Sequence, residues 1–324
     1  MKKYLITGIS GFVAYHFLTY LNSISENCEI LGIDINLPCD IKNYSFPCFK
    51  LHFAKINLLD YRALENELVS FCPTHILHLA SFSSVAKSWH DPINAFVNNT
   101  NAFLNLVEIV RKNNMKCRFL SIGSSEEYGH VPPEYIPINE TVSLNPVSPY
   151  AIARVSQELL SQSYATSYGI DIILTRSFNH IGPRQKDIFV ISSFVKQIVE
   201  KKSDHVTKAK LHTGDISIVR DFLDVRDVVK AYHLLFEKGI PGEKYNVCSG
   251  IGYSLREIID ILSDLLDVQI DIEIDKDKIR PDDNKIIIGD NSKLIKLTGW
   301  KPLISINRSL NDIITYWERR IYHS

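Results

Sequence analysis

The chain has 324 residues, of which 45% are hydrophobic and 23% charged, and its formal net charge is −1. This is the balance of a globular protein of about two domains, and near-neutral charge without a long basic run argues against a nucleic-acid-binding face. No stretch approaches the roughly 20 apolar residues of a bilayer span, and six cysteines without a Cys-x-x-Cys pairing read as free thiols of a reducing cytosol, with no metal site expected.

In chain order, Lys3–Thr7 reads as a strand. Its basic-then-apolar start imitates a signal peptide, but the apolar run is short and ends in a glycine turn, so a buried first strand is expected. Phe12–Leu21 has helical spacing, Glu29–Ile33 and Phe49–Phe53 are strands, and Tyr61–Phe71 is helical. Thr74–Leu79 is a strand, a long helix is expected from about Ile93 to Lys112, and Arg118–Ile122 is a strand. A helix follows over Tyr150–Tyr168, then a strand over Asp171–Arg176. This alternation gives an α/β fold, a Rossmann-type doubly wound parallel sheet covered on both faces.

After about Phe178 the pattern loosens. Asn179–Gln185 and Leu211–Val219 read as loops and short strands, Asp224–Glu237 as a helix, Lys244–Val247 as a short strand, Leu255–Leu266 as a helix, Val268–Ile274 as a strand and Arg308–Arg320 as a closing helix. Residues 1–178 are therefore expected to form the dinucleotide domain, with segments near 215–250 returning to it. Residues 179–324 are expected to form mainly a smaller C-terminal substrate-binding lobe.

Thr7-Gly8-Ile9-Ser10-Gly11-Phe12-Val13-Ala14 joins the first strand to the first helix. A strand, glycine turn and helix start aim free backbone N–H groups and the positive helix end at a pyrophosphate. Gly8 permits the turn, Gly11 the close approach of phosphate, and Ala14 close helix packing. Asp34 ends the second strand, where a carboxylate accepts from both adenosine ribose hydroxyls and repels a 2′-phosphate. Ile35-Asn36 offers no arginine, so NAD is expected over NADP.

Ser124 follows the fifth strand, and Tyr150 and Arg154 lie four apart on one helix face. Hydride transfer at an alcohol carbon needs a proton to leave or join its oxygen. A phenol beside a cation suits that task, with Ser124 hydrogen-bonding the same oxygen.

These motifs, with Gly123–Gly129, Asn145–Tyr150, Thr175–Gln185, Val219–Val228 and Tyr245–Gly252, resemble the extended short-chain dehydrogenase/reductases, also called the NAD-dependent epimerase/dehydratase family. The resemblance spans almost the whole chain. It points to the branch that includes GDP-4-keto-6-deoxymannose reductases and GDP-mannose 4,6-dehydratases, enzymes of surface-polysaccharide sugar biosynthesis. One departure is Arg154, where the family pattern Tyr-x-x-x-Lys has lysine. Arginine keeps the charge and can donate to a nicotinamide ribose, but cannot relay a proton.

The resemblance carries the cofactor contacts onto Gly8, Gly11, Phe12, Val13, Asp34, Asn57, Leu58, Leu79, Ala80, Ser81, Asn99, Ile122, Tyr150, Arg154 and Phe178. Asn57 stands where the family has Asp. Substrate contacts fall on Ser84, Ser125, Glu126, Asn179, Val190, Lys196, Arg220, Arg280 and Asp283, the two arginines clamping the nucleotide diphosphate and Asp283 replacing a family Glu. Glu126 matches the dehydratase base at C5, and equally reads as structural. His180 reads as a structural histidine. The family also implies helix pairing into a homodimer or homotetramer.

The implied activity is an NAD(H)-dependent oxidoreduction at C4 of a GDP-linked, manno-configured sugar, in the cytoplasm and with its direction unassigned. A 4,6-dehydratase or an epimerase is the alternative within the fold. An NAD-binding sensor that lost its chemistry, suggested by the lysine-to-arginine change, is the alternative outside enzymes.

Overall fold

The computed structural model describes residues 1–38, 46–202, 208–279 and 284–322. Strand β1 (Lys2–Thr7) turns at Gly8 into α1 (Phe12–Ser23), followed by β2 (Cys28–Asp34) and β3 (Phe49–Lys55). Helix α2 (Tyr61–Phe71) opens on an Asp60 cap whose carboxylate accepts the Ala63 N–H at 3.1 Å, and it ends where Cys72 adopts a left-handed φ of 54°. β4 (His75–His78), α3 (Val85–His90), α4 (Pro92–Phe96), a π-helical turn at Val97–Asn101, α5 (Ala102–Lys112) and β5 (Arg118–Ser124) come next. α6 (Pro149–Tyr168), β6 (Ile172–Ser177) and β7 (Asn179–Ile181) follow, then α7 (Val190–Lys202), β8 (Lys208–Thr213), β9 (Val219–Asp224), α8 (Val225–Lys238) and β10 (Lys244–Val247). The chain closes with β11 (Gly252–Ser254), α9 (Leu255–Leu266), β12 (Gln269–Ile274), β13 (Ile286–Ile287), α10 (Ser292–Thr298) and α11 (Ile306–Tyr322).

The large sheet has seven strands in the order β10-β6-β5-β4-β1-β2-β3, each pair parallel. Side chains alternate between its faces, as strand geometry requires. On β1, Tyr4 and Ile6 join the core under α1 and α8, while Leu5 joins the opposite core under α2 and α5. Strand order reverses at β1, which makes the carboxyl ends of β1 and β4 the position where doubly wound sheets take ligands. Of the 215–250 segment, β10 joins this sheet and α8 packs against α1, whereas β9 pairs with β7, β11 and β13 in a smaller sheet. A separate core brings Phe194 and Ile198 of α7, Ile258 and Leu262 of α9, and Leu310 and Trp317 of α11 together.

Three features depart from the sequence expectation. The helix expected over Ile93–Lys112 is interrupted by the π turn, whose residues have tertiary work: Asn99 bonds the Phe82 backbone and Thr100 donates to the Ala153 carbonyl at 3.1 Å. Helix α7 occupies a stretch read as irregular, although Ile191, Phe194, Val195, Ile198 and Val199 repeat at helical spacing and are buried. The short helix α10 carries too few periodic positions to stand out in the sequence. Cys28, Cys48, Cys72, Cys117 and Cys248 are free thiols, and Cys39 lies outside the described residues.

Candidate active site

Gly8 has φ +71°, and a Cβ there would stand 2.8 Å from the Ala80 nitrogen, so only glycine serves where β1 meets the loop after β4. Gly11 begins α1 with extended backbone and no side-chain acceptor, and the first turn holds no acidic residue. The N–H groups and positive end of that turn are left for an anion. Asp34 faces the same turn: its carboxylate accepts the N–H of Ser10 at 3.0 Å and of Asn36 at 3.2 Å. The Thr7 hydroxyl accepts the Ala80 N–H at 3.2 Å and meets His78 Nδ1 at 2.8 Å, while the Leu79 N–H donates to the Thr7 carbonyl, fixing the opposite wall. Glycines, an uncapped helix start and a carboxylate at the second strand end together fit an adenine dinucleotide.

The other expected cofactor residues are less uniform. Phe12 and Val13 are half-buried at the start of α1. Leu58 is buried, and Asn57 is exposed with its side-chain oxygen accepting the Leu59 N–H at 3.0 Å. Asn99 is fully buried and spends its amide on the Phe82 N–H (2.8 Å) and carbonyl (3.2 Å), so it shapes the loop after β4.

Ser148 caps α6 by accepting the Ala151 N–H at 3.1 Å, and Pro149 occupies the first turn, which places Tyr150 at the helix start. The Tyr150 N–H donates to Ser88 of α3 at 3.3 Å, a tether absent from the sequence reading. One turn on, Arg154 is 5% exposed. Its Nε donates to the Tyr150 hydroxyl at 3.3 Å, and one terminal nitrogen donates to the Ile122 carbonyl at 2.9 Å and to Gln157 Oε1 at 2.7 Å. The other terminal nitrogen donates to the Ser81 hydroxyl. Arg154 therefore meets three other expected residues: Tyr150, Ile122 and Ser81.

Ser124, at the end of β5, accepts the Glu126 N–H at 3.2 Å and opens a 3₁₀ turn over Ser125–Tyr128. The Ser124 N–H donates to Glu127 Oε1 at 2.6 Å. Glu127 is fully buried, whereas Glu126 is half-buried and Ser125 buried. Burial, then the neighbouring Glu158 carboxylate, pushes the Glu127 carboxyl well above its ordinary range. Glu158 forms a two-pronged ion pair with Arg176 at 2.7 and 2.8 Å. Burial alone acts upward on Glu158, but Arg176 outweighs it and the group lies below its ordinary value.

On the substrate side, Ser84 caps α3, accepting the Lys87 N–H at 3.3 Å. Phe178 is 2% exposed beside Tyr128 and Cys248, and Asn179 starts β7 against Phe222 of β9. Val190 is exposed at the start of α7. Lys196 on the same helix pairs with Asp187 at 2.7 Å, which raises its pKa, the hydrogen bond being the leading cause. Arg220 is buried on β9, donating to the carbonyls of Asn284 (2.7 Å) and Val219 (3.0 Å). Burial pulls the His180 pKa down to about 4, so its imidazole is neutral at pH 7 and does not act as a cation. Arg280 and Asp283 lie outside the described residues.

The model of the family described as GDP-mannose 4,6 dehydratase matches residues 5–313. The GDP-6-deoxy-D-mannose reductase of Pseudomonas aeruginosa is 33% identical over 320 residues, covering 99% of this chain and 98% of that protein. The GDP-6-deoxy-D-talose 4-dehydrogenase of Aggregatibacter actinomycetemcomitans is 28% identical, covering 92% and 91%. The solved structure of RMD from Pseudomonas aeruginosa complexed with NADPH superposes with a TM-score of 0.84 at 33% identity, covering 99% of each chain.

Proposed function

The chain belongs to the GDP-mannose 4,6 dehydratase family, and from that membership we propose that it is an NAD(H)-dependent oxidoreductase acting at C4 of a GDP-linked, manno-configured sugar. It works in the cytoplasm as a homodimer or homotetramer. The observation that carries the reading is the buried Arg154 guanidinium, bonded at once to the Tyr150 hydroxyl and to the Ile122 carbonyl two residues before Ser124. Relatives that reduce a GDP-linked 6-deoxy sugar or oxidise one at C4 supply the substrate class.

Bound NAD(H) supplies or takes the hydride at C4. Tyr150 gives a proton to O4 in reduction and takes it in oxidation. The Ser124 oxygen accepts the Glu126 N–H, which leaves its own proton to donate to O4 and hold it in line. Arg154 stays charged throughout, steadies the phenol oxygen and relays no proton. Arg220 and, by the family resemblance, Arg280 provide cations for the sugar-nucleotide diphosphate. Asp34 favours NAD over a 2′-phosphorylated cofactor.

The apolar side chains Ile93 and Phe96 of α4 and Ile152 and Leu159 of α6 are exposed, on two helices that pack together. They support pairing of these helices across a homodimer.

The test offers purified protein a GDP-linked 4-keto-6-deoxy sugar with NADH or NADPH, and a GDP-linked 6-deoxy sugar with NAD or NADP. UDP- and dTDP-linked sugars serve as controls. Turnover of the GDP-linked pair with NAD(H) is expected in at least one direction. Conversion of GDP-mannose to a 4-keto-6-deoxy product without net NADH would make the chain a dehydratase, with Glu126 as base. Bound NAD with no turnover of any sugar nucleotide would favour the sensor.

A further inference from the structure

The guanidinium of Arg154 carries five N–H donors in a rigid fork. Four have protein acceptors: the Tyr150 hydroxyl, the Ile122 carbonyl, Gln157 Oε1 and the Ser81 hydroxyl. The fifth, on the nitrogen that reaches Ser81, has no protein acceptor among the described residues. Which edge faces Tyr150 and which faces outward is set by the buried end of the fork, and Gln157 holds that end.

Gln157 is 1% exposed and stands one turn beyond Arg154 on α6. Its Nε2 donates to the Ser121 hydroxyl at 2.9 Å and to the Ile122 carbonyl at 3.2 Å, which fixes the amide with Oε1 toward the guanidinium. The reverse orientation would set N–H against N–H. Ser121 is held in turn by Ser161 at 3.0 Å. The small gap bounded by Ser121, Gly123, Arg154, Gln157, Glu158, Leu174 and Thr175 has no room for a water molecule. With Gln157 in place, water therefore does not share its role as acceptor there.

We infer that Gln157 is a positioning residue for the reaction: by accepting from the buried end of Arg154, it lets arginine stand where an ammonium would need no such partner. It keeps Nε on Tyr150 and the free N–H directed outward to the cofactor. This rests on the proposed function above. Ser121 is the second member of the clamp, acting on Arg154 only through Gln157.

The test is a double-substitution cycle with Gln157→Met, which keeps the length of the side chain and removes both polar ends. NADH affinity, read by fluorescence, is measured for the wild type, Gln157→Met, Arg154→Lys and the double variant. Gln157→Met is expected to weaken NADH about tenfold in the wild-type background and by less than about twofold in the Arg154→Lys background, the signature of one residue acting through another. The limb of the kcat/KM–pH profile that reports the phenol, the acid limb in the oxidising direction and the alkaline limb in the reducing direction, is expected to move to higher pH with Gln157→Met in the wild-type background alone. Equal losses in both backgrounds, or unchanged affinity and profile in Gln157→Met, overturn the inference. If the methionine variant does not fold, Ser121→Ala reads the same coupling with a smaller side chain. Because NADH binding needs no substrate, a wild type that turns over no GDP-sugar defeats the proposed reaction while the role of Gln157 is still decided.

Discussion

Arg154 and Tyr150, one helical turn apart on α6, meet head to head: Nε lies 3.3 Å from the phenol oxygen, and the guanidinium carbon lies 5.4 Å from the ring centroid. The contact joins a permanent charge to the phenol that the proposed reaction uses to exchange a proton with the sugar hydroxyl.

Tyr150→Phe removes that proton and leaves the ring. It should lower kcat by about 10²- to 10⁴-fold, the usual contribution of a positioned acid/base. NADH affinity should fall far less than kcat, since the binding turn at Gly8–Ala14 is untouched. Steady-state kinetics beside a fluorescence titration checks both.

Asp34→Ala combined with Ile35→Arg should turn the cofactor preference toward NADP(H), by at least about tenfold in the ratio of kcat/KM values. The backbone register helps, because Lys55 is the partner of Asp34 across β2 and β3 and adds a second cation at that strand end. Undiminished preference for NAD would refute the role given to Asp34.

Glu127 makes a prediction about pH. Its carboxyl is raised in the folded protein, so its stabilising contribution is complete below the ordinary value of 4.5 and is lost as pH rises toward the folded value. Glu158 is lowered, so its contribution is present above 4.5 and is lost as pH falls. Glu127→Gln keeps an acceptor for the Ser124 N–H and cannot ionise. Its melting temperature should therefore fall less than that of the wild type as pH rises above 4.5. Glu127→Leu strands the Ser124 N–H and should cost about 1–3 kcal/mol. Thermal melts across pH separate the two variants.

This pair also marks the limit of what the sequence discloses. The glycine loop, Asp34 and the strand–helix alternation are local signals, and so is the spacing that sets Tyr150 and Arg154 on one face. Glu126 and Glu127 are adjacent acids, and nothing local tells which is buried. That depends on Glu158 and Arg176, brought in by α6 and β6. Ser88, which tethers Tyr150 across 62 residues, and Ser81, which meets Arg154 across 73, depend on packing in the same way. Gln157 shares the buried face of α6 with the polar residues Arg154, Glu158 and Ser161, so its spacing alone does not single it out.

Ile93→Glu together with Leu159→Glu places charge on the exposed apolar faces of α4 and α6. If these helices pair in a homodimer, the double variant should sediment as a monomer at micromolar concentrations where the wild type is dimeric, because unpaired charge is costly in a desolvated interface. An unchanged sedimentation coefficient would move the interface elsewhere.

C4 hydride transfer is read by following the label from NADH deuterated at the transferring position into a GDP-linked 4-keto-6-deoxy sugar, with the product resolved by NMR and mass spectrometry. One deuterium per product is expected, bound at C4, with equal loss of NADH and with transfer slowed about 10²- to 10⁴-fold in Tyr150→Phe. A product without deuterium, or with the label at C6, would contradict hydride transfer at C4.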